Sequence, residues 1–210
     1  MAAVSSDRRV RKTRKAIQDA YFRLLSEKKS EKITVAEITR EADIDRKTFY
    51  LHYDSVQDVI REWTEAKTKD VLKRLTLRSF FTLHFDKEIF AKEAIFMVSE
   101  NLSFLKMVAG SPDLDFFWDT AQDTAVDVLT EIYARHSSLP MADLRIQVRF
   151  FVGGAAAAYR DWLKDKVPCS LQKLSERVSG IAFTGVQNIL TKPESNEKAP
   201  KAAKDEVPSG

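Results

Sequence analysis

Apolar residues recur at three- and four-residue spacing along most of the chain. This spacing is typical of amphipathic helices. It occurs over residues 8–29, from residue 55 onward, over 87–108, and in segments opened by Pro112, Pro140 and Ser170. Only six Gly and six Pro in 210 residues favour long uninterrupted elements over turn-rich sheets. We therefore predict an all-α protein.

Between the first two long segments the sequence predicts a pair of short helices. Thr34 precedes "VAEITREA" with Glu37 three residues later, the pattern of a capping box. Asp45 is a suitable N-cap for "RKTFYLHY". Two short helices this close in sequence are typical of a helix-turn-helix, whose second helix presents its leading residues to the major groove. We expect Phe49 in the shared core and Tyr50 on the exposed side.

The predicted elements divide the chain into three parts. Residues 1–54 form an N-terminal helix-turn-helix domain of three helices, and residues 55–191 form a C-terminal helical bundle for ligand sensing and dimerisation. Residues 192–210 contain four bases, four acids and almost no apolar side chain, so they are predicted to be a disordered tail. The aromatic stretch "LRSFFTLHF" at residues 77–85 is ambiguous.

The charge is distributed unevenly. Residues 1–54 contain 13 Lys/Arg and 9 Asp/Glu, a net +4, whereas residues 55–191 contain 17 and 18, a net −1. The basic side chains Arg8, Arg9, Arg11, Lys12 and Arg14 are concentrated before the first apolar stripe. This excess suggests an anionic partner such as the DNA backbone, or a charged terminus with no partner.

Several classes of protein are not indicated by the sequence. The three histidines are scattered, and no glycine-rich phosphate loop or nucleophile motif occurs. We therefore expect no enzyme, no cofactor and no metal site, and Cys169 is expected to be an inert thiol. No apolar run approaches 18 residues, and none follows the positive charges of residues 1–15, so neither a membrane span nor a signal peptide is indicated. We therefore expect a cytoplasmic protein with no membrane contact.

Residues 14–60 resemble the DNA-binding domain of the TetR family of bacterial transcriptional regulators. The resemblance begins at "IQDA" (17–20), continues through "TVAEI" (34–38) and ends in "TFYLHY" (48–53). The stretch "FFVGGAAAAYRDWLKDKVP" (150–168) is similar to the penultimate helix of a branch related to dihydroxyacetone-kinase regulators. The family implies a homodimer whose last two helices build a four-helix interface, and a ligand cavity in the middle helices.

The resemblance also implies a DNA-contacting set of residues. Arg46 and Lys47 open the second short helix, where side chains can donate to guanine O6 and N7. Four others resemble family positions that bind phosphate or touch a thymine methyl group: Thr34, Thr48, Tyr50 and His52. The chain departs from the family where Asp43 replaces a common glycine and where Val56 replaces a common phosphate-binding lysine.

The sequence thus favours a TetR-like homodimeric regulator, with repression as its expected mode. It would bind a palindromic operator in double-stranded DNA and be released by a small-molecule effector. The alternative is a TetR-like coactivator that acts through a protein partner. The sequence leaves open the operator, the effector and its binding residues, the regulated genes, activation against repression, and whether the N-terminal arm contacts DNA.

Two further patterns lie in the second half. Asp115, Asp119, Asp123 and Asp127 form an acidic row, which predicts a solvated face; the alternatives are pairing with Arg145, Arg149 or Arg160, or binding a cationic ligand. The small residues 153–158 ("GGAAAA") permit close approach of another helix, either across a dimer interface or within one subunit. Nine phenylalanines are candidates to line an effector cavity or to fill the core: Phe80, Phe81, Phe85, Phe90, Phe96, Phe104, Phe116, Phe117 and Phe150.

Overall fold

The computed structural model describes the backbone of residues 2–80 and 86–190, with side chains for 8–74 and 86–185. These residues form nine α-helices: α1 Ala2–Glu27, α2 Val35–Glu41, α3 Arg46–Tyr50, α4 Val56–Phe80, α5 Lys87–Glu100, α6 Leu102–Gly110, α7 Asp115–Ala134, α8 Met141–Leu163 and α9 Leu171–Leu190. The predicted all-α class is confirmed. The predicted tail, residues 192–210, and most of the ambiguous aromatic stretch lie outside the described residues.

One predicted helical segment is divided in the structure. The pattern over residues 87–108 predicts one helix, but the chain forms α5 and α6, which meet at Asn101. The backbone of Asn101 lies at φ −120°, ψ 16°, outside the helical region. Its side-chain Nδ2 donates to the Met97 carbonyl at 2.8 Å. This local bond competes with helix continuation, as asparagine side chains commonly do.

Helices α1 to α3 pack around a small apolar core. Ile17, Tyr21, Ile38 and Phe49 are fully buried there. Phe49 contributes from α3, which confirms its expected inward position. Five-residue α3 is too short to be stable alone, so its orientation depends on this packing.

The core of α1 to α3 continues into the second half of the chain. Phe22 of α1 contacts Trp63 of α4 at 4.5 Å between ring centroids and Phe104 of α6 at 5.6 Å. Phe104 in turn contacts Phe117 of α7 at 5.5 Å. Residues on both sides of the predicted boundary at 54/55 therefore share one apolar cluster.

Ion pairs follow the seam between α7 and α8. Arg145 pairs with Asp127 at 2.8 Å and Arg149 with Asp123 at 2.6 Å, and Arg160 pairs with Asp115. All four acids are exposed to solvent, as predicted, and three of them also pair with arginines, which was the alternative. The helices run antiparallel, which brings these two rows into register.

Helices α8 and α9 are antiparallel and approach closely at one glycine. The Tyr159 hydroxyl donates to Ser175 Oγ at 2.9 Å. Further along, the Phe151 ring lies so close to Gly185 that a Cβ atom there would meet Phe151 Cζ at 1.8 Å. Only glycine fits beneath the ring in this arrangement.

The turn between α2 and α3 requires an unusual backbone conformation. Asp43 has φ 53°, the left-handed region that favours glycine. Asp is among the non-glycine residues that visit this region, although at a cost. Aspartate here thus retains the turn where the TetR family commonly has glycine.

Replacing Asp43 with glycine is therefore expected to raise the free energy of unfolding by about 0.5–1 kcal/mol. Asp43→Ala is the matched control and should lower stability, because alanine cannot relieve the positive φ. Urea unfolding monitored by circular dichroism measures both. A glycine variant less stable than the alanine variant would show that the positive φ of Asp43 does not limit stability at this turn.

Candidate nucleic-acid interface

The start of α2 is fixed by Thr34 and Glu37. The Glu37 N–H donates to Thr34 Oγ1 at 3.4 Å, and Glu37 Oε2 accepts the Thr34 N–H at 3.1 Å, which completes the predicted capping box. Lys28, which directly follows α1, pairs with Glu37 Oε1 at 2.5 Å. Hydrogen bonding to Lys28 and then to Thr34 lowers the pKa of Glu37 to about 2, so Glu37 is ionised at neutral pH.

The start of α3 is fixed in a similar way. Asp45 Oδ1 accepts the Thr48 N–H at 2.7 Å, as its predicted role of N-cap requires. Asp45 Oδ2 also accepts the Thr48 hydroxyl at 3.1 Å. These bonds to Thr48 lower the pKa of Asp45. The carboxylate therefore holds the first turn of α3 in shape.

The stretch that contains α3 has one buried side and one exposed side. Phe49 and Tyr53 are buried, whereas Arg46, Lys47 and Tyr50 are exposed. Burial raises the pKa of Tyr53 to about 12, so its phenol stays neutral. Arg46, Lys47 and Tyr50 lie at helical positions i, i+1 and i+4, which form one continuous surface.

The remaining predicted contact residues are less available in this structure. His52 and Thr48 are half-buried, and Thr34 is exposed. The Thr34 hydroxyl donates to Glu37 Oε2 at 2.8 Å, and the Thr48 hydroxyl donates to Asp45. Each hydroxyl carries only one proton, so a phosphate contact through either side chain requires that it first leave its carboxylate.

Leu51 was not recognised from the sequence as a surface residue of this site. It follows α3 directly and is 72% exposed, beside Tyr50. From the sequence, a leucine among aromatic residues is expected in the core. Only its exposure in the structure identifies Leu51 as a surface residue. An exposed leucine next to a helix that carries the basic side chains Arg46 and Lys47 can contact thymine methyl groups in the major groove.

The basic N-terminal residues divide into two groups. Arg8, Arg9, Arg11 and Lys12 are exposed on the first part of α1. Arg14 instead pairs with Glu62 of α4 at 2.6 Å and lies 5.6 Å from the centroid of the Tyr53 ring. It therefore joins α1 to α4 within the protein, although the sequence had grouped it with the arm.

A second surface lies at the opposite end of the chain. Ile146 and Phe150 of α8 are 67% and 74% exposed, and Ile181 of the contacting α9 is 66% exposed. Ile181 follows the three- and four-residue apolar spacing of the segment opened by Ser170, a pattern that predicts an interior position. Gly154 and Ala157 continue the exposed row on α8 at spacings of four and three residues. We call Ile146, Phe150, Gly154, Ala157 and Ile181 the α8–α9 face.

Within residues 8–74 and 86–185 no cluster of His, Cys, Asp and Glu is arranged to hold a metal ion. Among the helices that the structure describes, none is long and apolar enough to cross a membrane.

Comparison with known proteins gives a partial sequence match. No protein-family profile matches the chain. An uncharacterized HTH-type transcriptional regulator of Bacillus subtilis (strain 168), YxbF, is 36% identical over 74 residues. The match covers 35% of this chain and 20% of that regulator's length.

Solved structures match over most of the chain. A TetR transcriptional regulator from Streptococcus agalactiae 2603V has a TM-score of 0.58 at 19% identity, covering 86% of this chain and 99% of its own. Thermus thermophilus FadR, a repressor in complex with lauroyl-CoA, has a TM-score of 0.56 at 13% identity, covering 94% and 100%. The dihydroxyacetone kinase operon activator DhaS has a TM-score of 0.53 at 15% identity, covering 85% and 98%.

The chain therefore has the fold of the TetR-family transcriptional regulators. The resemblance seen in residues 14–60 is confirmed at the level of the fold, and it extends through the helical bundle that follows.

Proposed function

We propose that this protein is a transcriptional regulator of the TetR type that binds double-stranded DNA as a homodimer. The observation that carries the proposal is the exposed surface of Arg46, Lys47 and Tyr50 on a helix capped by Asp45. This surface belongs to a helix-turn-helix within a TetR fold. A bacterial protein that binds DNA would be located in the cytoplasm.

The residues of α3 are proposed to read base edges. Arg46 is exposed at the first position of the helix, where a guanidinium can donate two hydrogen bonds to guanine. Lys47 and Tyr50 would contact bases or phosphates beside it, and Leu51 would touch thymine methyl groups. Thr34, Thr48 and His52 are assigned to the phosphate backbone, with the two threonine hydroxyls released from their carboxylates on binding.

The α8–α9 face is proposed to pair with the same face of a second copy. Large apolar side chains exposed together on contacting helices commonly mark an interaction site. The small residues Gly154 and Ala157 allow the backbone of another helix to approach. Such a symmetric pair would place two α3 helices against successive major grooves of a palindromic operator.

The two parts of the chain are proposed to have different roles. Residues 1–54 would contact DNA, and residues 55–191 would dimerise and bind an effector, with 192–210 as a tail. α4 spans about 37 Å at 1.5 Å per residue, and the aromatic contacts of Phe22, Trp63 and Phe104 connect it to α1 and α6. An effector that favours one position of these helices would change the distance between the two α3 helices. Repression relieved by the effector is the mode we propose.

The alternative is a coactivator that acts through a protein partner. Val56, which occupies a position where the TetR family commonly has a phosphate-binding lysine, is half-buried against the core. It offers no cation to a phosphate, so one common contribution to DNA affinity is missing. This observation keeps the coactivator as the second candidate.

The proposal can be tested on two kinds of variant. Arg46→Ala is expected to relax base preference at one operator position, costing about 1–3 kcal/mol of discrimination. Arg11→Ala should weaken binding to all sequences about equally. It should also reduce the slope of the logarithm of affinity against the logarithm of salt concentration by about one. Lys15→Ala, which removes an exposed base of α1 paired with Asp19, is the control.

Fluorescence anisotropy with operator and mismatched duplexes at several salt concentrations separates these effects. If Arg46→Ala and Arg11→Ala both behave like the control, α3 and the arm do not form the DNA surface.

A further inference from the structure

A cleft of about 340 Å³ opens between α7 and α8. Trp118 and Gln122 line it from α7, and Gly153, Ala156 and Arg160 line it from α8. The cleft exists because the α8 residues are small at this point: a Cβ atom on Gly153 would lie 3.6 Å from Gln122 Oε1. Its volume is within the range of small-molecule sites.

Two buried donors at this cleft lack hydrogen-bond partners. Trp118 is only 8% exposed, and its indole Nε1 has no acceptor among the side chains and backbone that the structure describes. The same holds for Nε of Arg160, whose guanidinium lies 5.9 Å from the Trp118 ring centroid and pairs with Asp115. By contrast, Trp162 Nε1 donates to the Cys169 carbonyl at 2.8 Å. Buried donors usually have an acceptor, so Trp118 and Arg160 are unusual.

The charge of the cleft favours an anion. Arg160, Lys164 and Lys166 line it together with Asp161. Asp161 pairs with Lys166 at 3.3 Å, and Asp115 pairs with Arg160, so three positive charges face two negative ones, a net +1. A second cleft, between α4 and α7, has the opposite balance. Its lining includes the bases Arg61 and Lys69 and the acids Glu65, Asp123, Asp127 and Glu131. The cleft beside Trp118 is thus the one suited to an acidic ligand.

We propose that the α7–α8 cleft binds a small organic carboxylate with an apolar body. The carboxylate would pair with the Arg160 guanidinium and, once a shift of the Trp118 side chain uncovers its buried Nε1, would accept a hydrogen bond from it. The apolar body would pack on Gly153 and Ala156. A guanidinium and an indole N–H suit a carboxylate because both are donors only. Binding of the carboxylate does not depend on the proposed function. Only the role of this ligand as the effector rests on it.

The position of Trp118 gives such a ligand a route to the helix-turn-helix. Its ring contacts Phe117 at 5.6 Å, and Phe117 contacts Phe104 at 5.5 Å. Phe104 lies 5.6 Å from Phe22 of α1 and 5.3 Å from Trp63 of α4. A shift of Trp118 on binding is therefore transmitted through packed rings to both helices that support α3.

Isothermal titration calorimetry on the full-length protein tests the cleft directly. Benzoate and hexanoate serve as probes, each compared with its neutral amide. At least one acid is expected to bind, and about tenfold more tightly than its amide, because the amide lacks the charge that pairs with Arg160.

Two variants locate the binding. Ala156→Leu fills the cleft and Arg160→Gln removes its central charge; each should weaken binding of the acid about tenfold or more. Ala142→Leu adds the same side chain to an exposed position of α8 and should leave binding unchanged. If Ala156→Leu fails to fold by circular dichroism, Arg160→Gln decides the matter.

The proposal is overturned if neither acid binds the folded wild-type protein at about 10 mM, or if folded variants bind as the wild type does. Equal affinity for acid and amide would also overturn it. Because calorimetry needs no DNA, a failure here leaves the proposed DNA-binding function intact, and a failure to bind DNA leaves the cleft intact.

Discussion

Replacing Phe150 with glutamate is expected to give folded monomers in place of the proposed homodimer and to weaken operator binding about 100-fold or more. Phe150 is 74% exposed in a single chain, so the substitution costs the subunit little. In a dimer the same residue would be buried, and an unpaired carboxylate there is strongly unfavourable. Loss of the second subunit removes the bivalent attachment that multiplies the affinity of one helix-turn-helix.

Analytical ultracentrifugation and anisotropy with operator DNA measure both effects. Phe96→Glu is the matched control, because Phe96 is an exposed phenylalanine (55%) on α5, a helix that contributes no residue to the α8–α9 face. It should leave the dimer and its affinity unchanged. A protein that stays dimeric as Phe150→Glu but dissociates as Phe96→Glu would place the interface elsewhere.

The second large effect is expected at Gly185. Alanine there would place Cβ within 1.8 Å of Phe151 Cζ, so the ring or the whole of α9 must move. Overpacking of this kind typically costs about 1–3 kcal/mol, measured as a lower free energy of unfolding. Gly180→Ala on the same helix has nothing within 4 Å of the new methyl group and should be neutral or stabilising, because alanine favours helix.

A double variant separates the clash from other causes. Phe151→Ala removes the ring that the new methyl group meets, so the cost of Gly185→Ala should largely disappear in that background. Equal costs of Gly185→Ala with and without the Phe151 ring would contradict the packing of α8 on α9 described above.

The parts of the fold that were predicted well depend on local interactions. The caps at Thr34 and Asp45 were identified because the bonds that define them lie within three residues. The positive φ at Asp43 agrees with the resemblance, because the TetR family commonly has glycine at this position. For each of the two caps, the sequence contains both partners of the interaction within one short stretch.

The features that were not predicted depend on contacts between one helix and its neighbours in the fold. The pairing of Asp123 and Asp127 with arginines of α8 requires the antiparallel register of α7 and α8. Ile181 fits the apolar stripe of α9 as well as its buried neighbours do, and only the packing of α8 and α5 on that helix leaves it exposed. Periodicity identifies a helix but does not fix its rotation about its own axis.

The candidate DNA surface includes residues that were predicted correctly and residues that were not. The exposure of Arg46, Lys47 and Tyr50 agrees with the spacing around buried Phe49. Leu51 was missed because an apolar residue beside aromatic ones suggests core. Arg14 was grouped with the arm because its partner Glu62 lies 48 residues away, a separation that no local pattern reports.

The most direct test of a dimeric, sequence-specific DNA-binding protein is selection from a random double-stranded DNA pool at near-physiological salt. The full-length protein, shown to be folded, is incubated with the pool, and the bound duplexes are sequenced over several rounds. A dimer of this kind is expected to enrich a palindrome whose half-sites lie about one helical turn apart or slightly more. Recovery of no enriched sequence would contradict it and favour the coactivator that acts through a protein partner.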